Sequence, residues 1–253
     1  TTWKIYDLYD LKKFSEIVND GYSFAGQTIL LESDITINKN VLSSDFREPE
    51  ESAPGVAANG LVNLDSIGLR DKPFGGIFDG QGHTISGYYS YKGHQGLGFF
   101  GSVENASIKN LILLDSCVIN SNASTGNDSS DDDRFAGLIG CIDNNGGVTV
   151  QNCVVECVVG SKTALDRGGP YEYCGGLIGR CDAVSTVTDC TVLARVYAQG
   201  MHGVIAGRVI NEEDLTQTNV VGYDADVEGE LEAGKTAVQE AAASIRAQFG
   251  LQE

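Results

Sequence analysis

The stretch Gly96-Leu-Gly-Phe-Phe-Gly-Ser-Val-Glu-Asn-Ala-Ser-Ile-Lys-Asn-Leu-Ile-Leu113 decides how this chain folds. Its first six residues spell GxGxxG, which in some folds cradles a dinucleotide pyrophosphate. That fingerprint has to follow a strand and open a helix inside a βαβ unit. Residues 103–119 are instead rich in β-branched and leucyl side chains and show no helical spacing. The glycines therefore need a reason other than phosphate binding.

The reason lies in repetition. The stretch returns as Gly137-Leu-Ile-Gly-Cys141, as Gly176-Leu-Ile-Gly-Arg180 and, more loosely, as Gly203-Val-Ile-Ala-Gly207. The closing glycines Gly101, Gly140, Gly179 and Gly207 are spaced by 39, 39 and 28 residues. A second element follows each copy and carries a marker: Asn110, Asn152, Asp189 and, in a weak fourth copy, Asn219. Self-similarity at such periods signals stacked structural repeats. Beyond each marker the residues alternate. Cys190, Val192, Ala194 and Val196 fall on one face, with Thr191, Leu193 and Arg195 on the other; Cys153, Val155, Cys157 and Val159 form the equivalent inner face. Period-two alternation means strand, and parallel stacking places successive copies about 4.8 Å apart.

The expectation is an all-β chain, a right-handed parallel β-helix with short N-terminal and C-terminal helices as caps. Asn and Asp at the markers tolerate the left-handed backbone of a sharp bend, and stacked Asn side chains bond from layer to layer. The glycines allow a further bend or a close backbone approach. Asp115 breaks the pattern, because it aligns with inward Cys157 and Ala194; a bulge or shifted register is expected there.

Composition agrees. The chain has 253 residues, 32 of them Gly and only 4 Pro, which suits many turns and short strands. Its formal charge of −18, from 17 basic and 35 acidic residues, repels nucleic-acid phosphates and anionic membranes. No apolar run is long enough to span a bilayer. The start, TTWKIYDLYD, has neither a signal-peptide pattern nor an initiator Met, and reads as a fragment or mature product. The seven cysteines include no CxxC. Cys153 and Cys190 occupy equivalent inward positions, where a bridge is within reach but strained, so free thiols are expected.

The string Gly75-Gly-Ile-Phe-Asp-Gly-Gln-Gly-His-Thr-Ile-Ser-Gly-Tyr88, followed by the quoted stretch and the GLIG copies, resembles bacterial surface proteins that carry the GLUG motif. The opening LYDLKKFSEIVNDGYSFAGQTILLESDITIN, residues 8–38, resembles the start of the same module. The resemblance covers roughly residues 3–222. It implies a pectin-lyase-like parallel β-helix on secreted or cell-surface bacterial proteins, including regions beside the protease domain of immunoglobulin A peptidases. The poor fourth copy and the acidic insertion near Asp131 depart from the pattern.

A single domain over 1–253 is expected: 1–38 as helix and strand cap, 74–227 as repeat coils, and 234–250 as a C-terminal helix, cap or linker. The first helix is read over 7–20, with Leu8, Leu11, Phe14, Ile17 and Val18 as its apolar face. The second starts at a capping box, Thr236 to Gln239.

The segments before each GLIG strand differ, and stacking should align them as a ridge of loops. The candidate ligand-binding residues on it are Tyr89, Tyr91, His94, Arg167, Tyr171 and Tyr173, aromatic and charged groups that suit a glycan or a host surface protein. Asp131, Asp132 and Asp133 are weak calcium candidates, without EF-hand spacing. No cofactor is expected. His83 beside Asp79 reads as an acid–base pair or, more simply, as a turn in which His83 bonds to backbone. The functional expectation is a non-catalytic extracellular or cell-surface module, part of a larger multidomain protein, for adhesion or ligand presentation. A polysaccharide lyase or glycoside hydrolase and an inert structural spacer are the alternatives.

Overall fold

A computed structural model describes residues 1–93, 96–121, 134–166 and 172–252. Strands dominate, and every strand pairing among these residues is parallel. The strands line up as columns. One column holds β1 (Thr2–Ile5), β2 (Thr28–Leu31), β4 (Ile77–Asp79), β8 (Ser107–Lys109) and β12 (Thr149–Gln151). A second holds β3 (Ile35–Thr36), β5 (Thr84–Ser86), β9 (Ile112–Asn120) and β13 (Val154–Val159), with β6 (Tyr89–Lys92) beside the far half of β9. The long strands β16 (Ser185–Val196) and β19 (Leu215–Asp224) span both columns and join them into one strongly curled sheet. A four-stranded sheet contains β7 (Phe100–Val103), β11 (Ile139–Ile142), β15 (Ile178–Cys181) and β18 (Ala206–Val209), and a three-stranded one contains β10 (Arg134–Ala136), β14 (Tyr173–Gly175) and β17 (Met201–Gly203).

The register follows the repeat. Val155 pairs with Val192, and Phe100 begins a strand where a dinucleotide fold needs a helix. The bend between the two columns falls on the markers: Asn110, Asn152, Asp189 and Asn219 have φ of 53°, 53°, 54° and 53°, and Gln81 takes the same role one layer earlier at 49°. Asn110 Nδ2 donates to Asp79 Oδ1 and Asn152 Nδ2 to Asn110 Oδ1, each at 2.9 Å. The GLIG glycines prove to serve close approach rather than a bend. A Cβ on Gly140 would lie 2.7 Å from Leu97 N, and one on Gly207 would lie 2.5 Å from Cys174 N. The two smaller sheets thus meet backbone against backbone, and only hydrogen fits between them.

From β4 onward, inward side chains shrink along the stack. One inward position reads Phe78, Ile108, Val150, Val187 and finally Gln217; another reads Ile85, Leu113, Val155, Val192 and finally Gly222. The wide end is covered by α1 (Leu8–Asn19), whose Leu11, Phe14 and Val18 are buried against Phe24, Phe74 and Phe78. Asp7 caps this helix by accepting from Asp10 N. Gly222 leaves room into which Val204 and Ile205 fold, and Gln217 puts a polar group where earlier layers bury valine. Terminal repeats that face water need such polar positions.

The C-terminal helix α3 (Glu230–Gln248; α2 is the short Lys162–Asp166) is neither of the arrangements the sequence suggested. It does not close the end of the stack and it does not leave the domain. It runs back along the outside of the curled sheet, packing on β16, β19 and β13, and its Arg246 reaches Asp34 beside the first layers. It also starts before the expected capping box. Gly229 is its N-cap, and Thr236 lies inside the helix with its hydroxyl donating back to Glu232 O. Val238 and Ile245, together with residues 41–61, cover the outer face formed by Ile112, Val154, Val158 and Leu193. Both faces of β13 are therefore largely buried, which explains why Val154-Val155 and Cys157-Val158-Val159 run apolar on either side of Glu156 instead of alternating.

Asp115 sits at a bulge, as expected. Its φ is 53°, and the register between β9 and β13 slips between Val155 and Cys157, so Ser116 takes the buried position. The carboxylate turns outward and accepts from Val41 N at 2.9 Å and Leu42 N at 2.8 Å. Asp115→Ala leaves two amides without their acceptor. The expected loss is about 1.5–3 kcal/mol for hydrogen bonds to a charged group, read by urea unfolding. Asp115→Asn, which keeps one acceptor, should recover part of it.

All seven cysteines are free and buried, including Cys153 and Cys190 in adjacent layers. Burial pushes the Cys153 and Cys157 thiols above their ordinary range, so they act as core side chains.

Candidate ligand-binding surfaces

The residues expected on the loop ridge part company. Tyr89 and Tyr91 are not exposed: they lie in β6, 1% and 5% accessible, under residues 41–61. Tyr89 Oη accepts from Ala58 N at 3.1 Å, and the Tyr91 hydroxyl donates to Glu51 Oε1 at 2.9 Å. These rings hold the outer cover in place and cannot grip a ligand. Tyr88 is buried on the other face, its hydroxyl donating to Gly98 O and its pKa pushed up to about 12 by burial. His94, Arg167, Tyr171, Asp131, Asp132 and Asp133 lie outside the described residues.

Tyr173 is half-buried at the start of β14, on the corner where the two smaller sheets meet. One outward position of the neighbouring sheet reads Ser102, Cys141, Arg180 and Arg208 in successive layers. The last two flank Tyr173. The Arg208 guanidinium lies 4.8 Å from the ring centre, with Nη1 donating to the Tyr173 hydroxyl oxygen at 2.7 Å. Arg180 lies 5.7 Å from the ring and forks onto Asp182. One layer away, Arg134 pairs with Asp143 at 2.9 Å. This corner offers an aromatic edge, guanidinium donors and exposed Met201 and His202. Such a mixture can stack against and hydrogen-bond a flat polar group.

His83 does not pair with Asp79. Asp79 Oδ1 accepts from Gln81 N and Asn110 Nδ2, while His83 Nδ1 lies 3.2 Å from Asp34 Oδ1. The simpler expectation also needs amending, because the ring's partner is a carboxylate rather than backbone. Arg246 Nη1 holds both Asp34 oxygens at 3.0 Å, and Thr84 N donates to Oδ1 at 2.8 Å. Partial burial opposes the charge on Asp34, but these donors outweigh it and keep the carboxyl below its ordinary range. Nothing in the sequence tied Asp34 to Arg246; the one local signal was a single arginine in the last turn of a helix.

Two grooves flank α3. One, of about 550 Å³, follows the marker side chains and is lined by Asn152, Asp189, Thr191, Asn219, Ser244 and Gln248. The other, of about 600 Å³, contains Glu156 and Lys235. Burial raises the pKa of Glu156, although its Oε2 accepts from Asp115 N at 3.0 Å. A carboxyl whose folded pKa is raised adds stability below its unfolded pKa and loses it as pH rises through the folded value. Glu156→Gln keeps an acceptor without the charge. It should raise the melting temperature at pH 7 and leave it unchanged at pH 3, as thermal unfolding at the two pH values would show.

Among the described residues, no three His, Cys, Asp or Glu side chains converge as a metal site, and no helix is long and apolar enough to cross a membrane. No family model matches the chain, and neither a curated protein nor a solved structure is found to resemble it.

Proposed function

We propose that the layers close into a right-handed parallel β-helix of the GLUG-motif kind, and that this helix is a non-catalytic module of a bacterial cell-surface or secreted protein. It keeps a rigid platform and presents the loop side, rooted at the Tyr173 corner, to a glycan or a host surface protein. The observation that carries the reading is how the recurrent residues are used. The Asn110, Asn152 and Asn219 amides bond to the layer before them, GLIG glycines admit neighbouring backbone, and inward cysteines and valines fill the core. What repeats serves stacking, and what differs lies at the corner and loops, as in repeat proteins that bind through variable positions. Closure is supported by the inner contacts. A Cβ on Gly176 would meet Ala194 Cβ at 2.7 Å and Val192 Cγ1 at 2.9 Å, which brings the GLIG side onto the inner face of β16.

The test is a binding screen of the chain against glycans and extracellular-matrix proteins, with a Tyr173→Ala/Arg208→Ala double variant alongside. The expected result is a saturable binder that the double variant loses while its circular dichroism is unchanged. Release of reducing ends or unsaturated products from any polysaccharide would establish the enzyme alternative, and an empty screen would favour the spacer.

A further inference from the structure

The marker ladder runs in one direction, and at one step it fails. Each marker amide donates to the layer before it: Asn110 to Asp79 at 2.9 Å, Asn152 to Asn110 at 2.9 Å, and Asn219 to Asp189 at 2.7 Å. The amide oxygen is correspondingly left for the layer after it, as Asn110 Oδ1 shows by accepting from Asn152. The layer after Asn152 carries Asp189, on the strand that pairs with β13 and β12. A carboxylate has acceptors only. Asn152 and Asp189, the latter exposed to solvent, thus form a step of the ladder across which no marker side chain donates to the other. Both Nδ2 bonds of Asn152 are already directed elsewhere, to Asn110 and to Gln248 Oε1 at 3.1 Å.

This gap opens into the groove beside α3, where Thr191, Ser244, Gln248 and Asn219 supply hydroxyls and amides, and Val154 and Ile245 supply an apolar floor. The groove's one lysine, Lys109, is turned to Asp79 at 3.4 Å, one layer below Asn110 and away from the gap. The chain as a whole, at −18, draws cations toward it.

We infer that the Asn152–Asp189 step is a binding site for a primary ammonium carried on a small hydroxylated body, an amino sugar with its amine free. The ammonium has three donors and no acceptor, so it bridges the Asn152 oxygen and the Asp189 carboxylate and completes the ladder. The sugar hydroxyls meet Thr191, Ser244 and the Gln248 amide. The site is separate from the Tyr173 corner, and it stands whether or not the loop side binds anything.

Calorimetric titration at physiological ionic strength tests the site, with glucosamine, N-acetylglucosamine, methylammonium and Nα-acetyl-lysine amide as probes. The expected result is one saturable site for glucosamine, with the other three at least about tenfold weaker, a difference of about 1.4 kcal/mol. Asp189→Asn restores a donor to the ladder. It should raise the melting temperature and cost glucosamine at least tenfold in affinity, while changing net charge by one unit only. Ser244→Ala, on the exposed side of α3, should weaken glucosamine and leave methylammonium unchanged, and it keeps the test open should Asp189→Asn misfold. Equal binding of N-acetylglucosamine, tighter binding of the lysine amide, or glucosamine binding that survives Asp189→Asn would each overturn the assignment. So would non-saturable binding of all cations, which is counter-ion condensation on an acidic chain.

Discussion

A Gly179→Ala chain is expected to lose several kcal/mol of stability, although it adds only one methyl group. The new Cβ would lie 2.5 Å from Gly140 O and 2.8 Å from both Phe135 N and Phe135 O. All three are backbone atoms. Gly140 lies in β11, paired to β15, and Phe135 lies in β10, paired to β14, so neither strand can retreat without breaking a ladder. Overpacking in a core that can adjust costs about 1–3 kcal/mol; a contact against fixed backbone belongs at or above the top of that range. Urea unfolding followed by circular dichroism measures it. Wild-type stability in Gly179→Ala would mean that the two smaller sheets do not touch as described.

The second large effect is at the wide end. Phe78 is fully buried, its ring 5.3 Å from Phe100, 6.0 Å from Phe14 and 6.2 Å from Phe99. It joins the lid helix α1 to the first layers. Phe78→Ala should cost about 3–5 kcal/mol, which at about 2–4 °C per kcal/mol for a chain of this size is a fall of roughly 6–20 °C in melting temperature. The loss should be uneven. Hydrogen exchange should quicken in α1 and β2 before it does in β13 and β16, because stacked repeats depend chiefly on their neighbours.

The pattern that was legible in the sequence was local or periodic. The GLIG and marker repeats gave the register to the residue, so that Val155 meets Val192 and Cys181 meets Ile142. The misfit at Asp115 was readable as a bulge because a carboxylate cannot take a position that its equivalents bury. What was not legible was which outer faces are covered. Tyr89 and Tyr91 read as loop aromatics because their cover, residues 41–61, is remote in sequence and without period. The path of α3 was hidden for the same reason. Its amphipathic pattern says that one face is buried but not against what, and its anchor is Asp34, 212 residues away. Thr236 misled because a Thr inside a helix and a Thr at its cap look alike until the hydroxyl's partner is known. The glycine spacing allows either a bend or a close backbone approach, and the space around Gly140 and Gly207 decides for the second, between two sheets that the sequence does not pair.

Methyl-to-methyl NOEs in a sample labelled at Leu and Val side chains test the stacking most directly. Layers in this register place the Val155 methyls against those of Leu113 on one side and Val192 on the other, and both cross-peaks are predicted to be strong. If Val155 shows neither, and its only methyl contacts are to residues near it in sequence, the chain does not wind into stacked parallel layers.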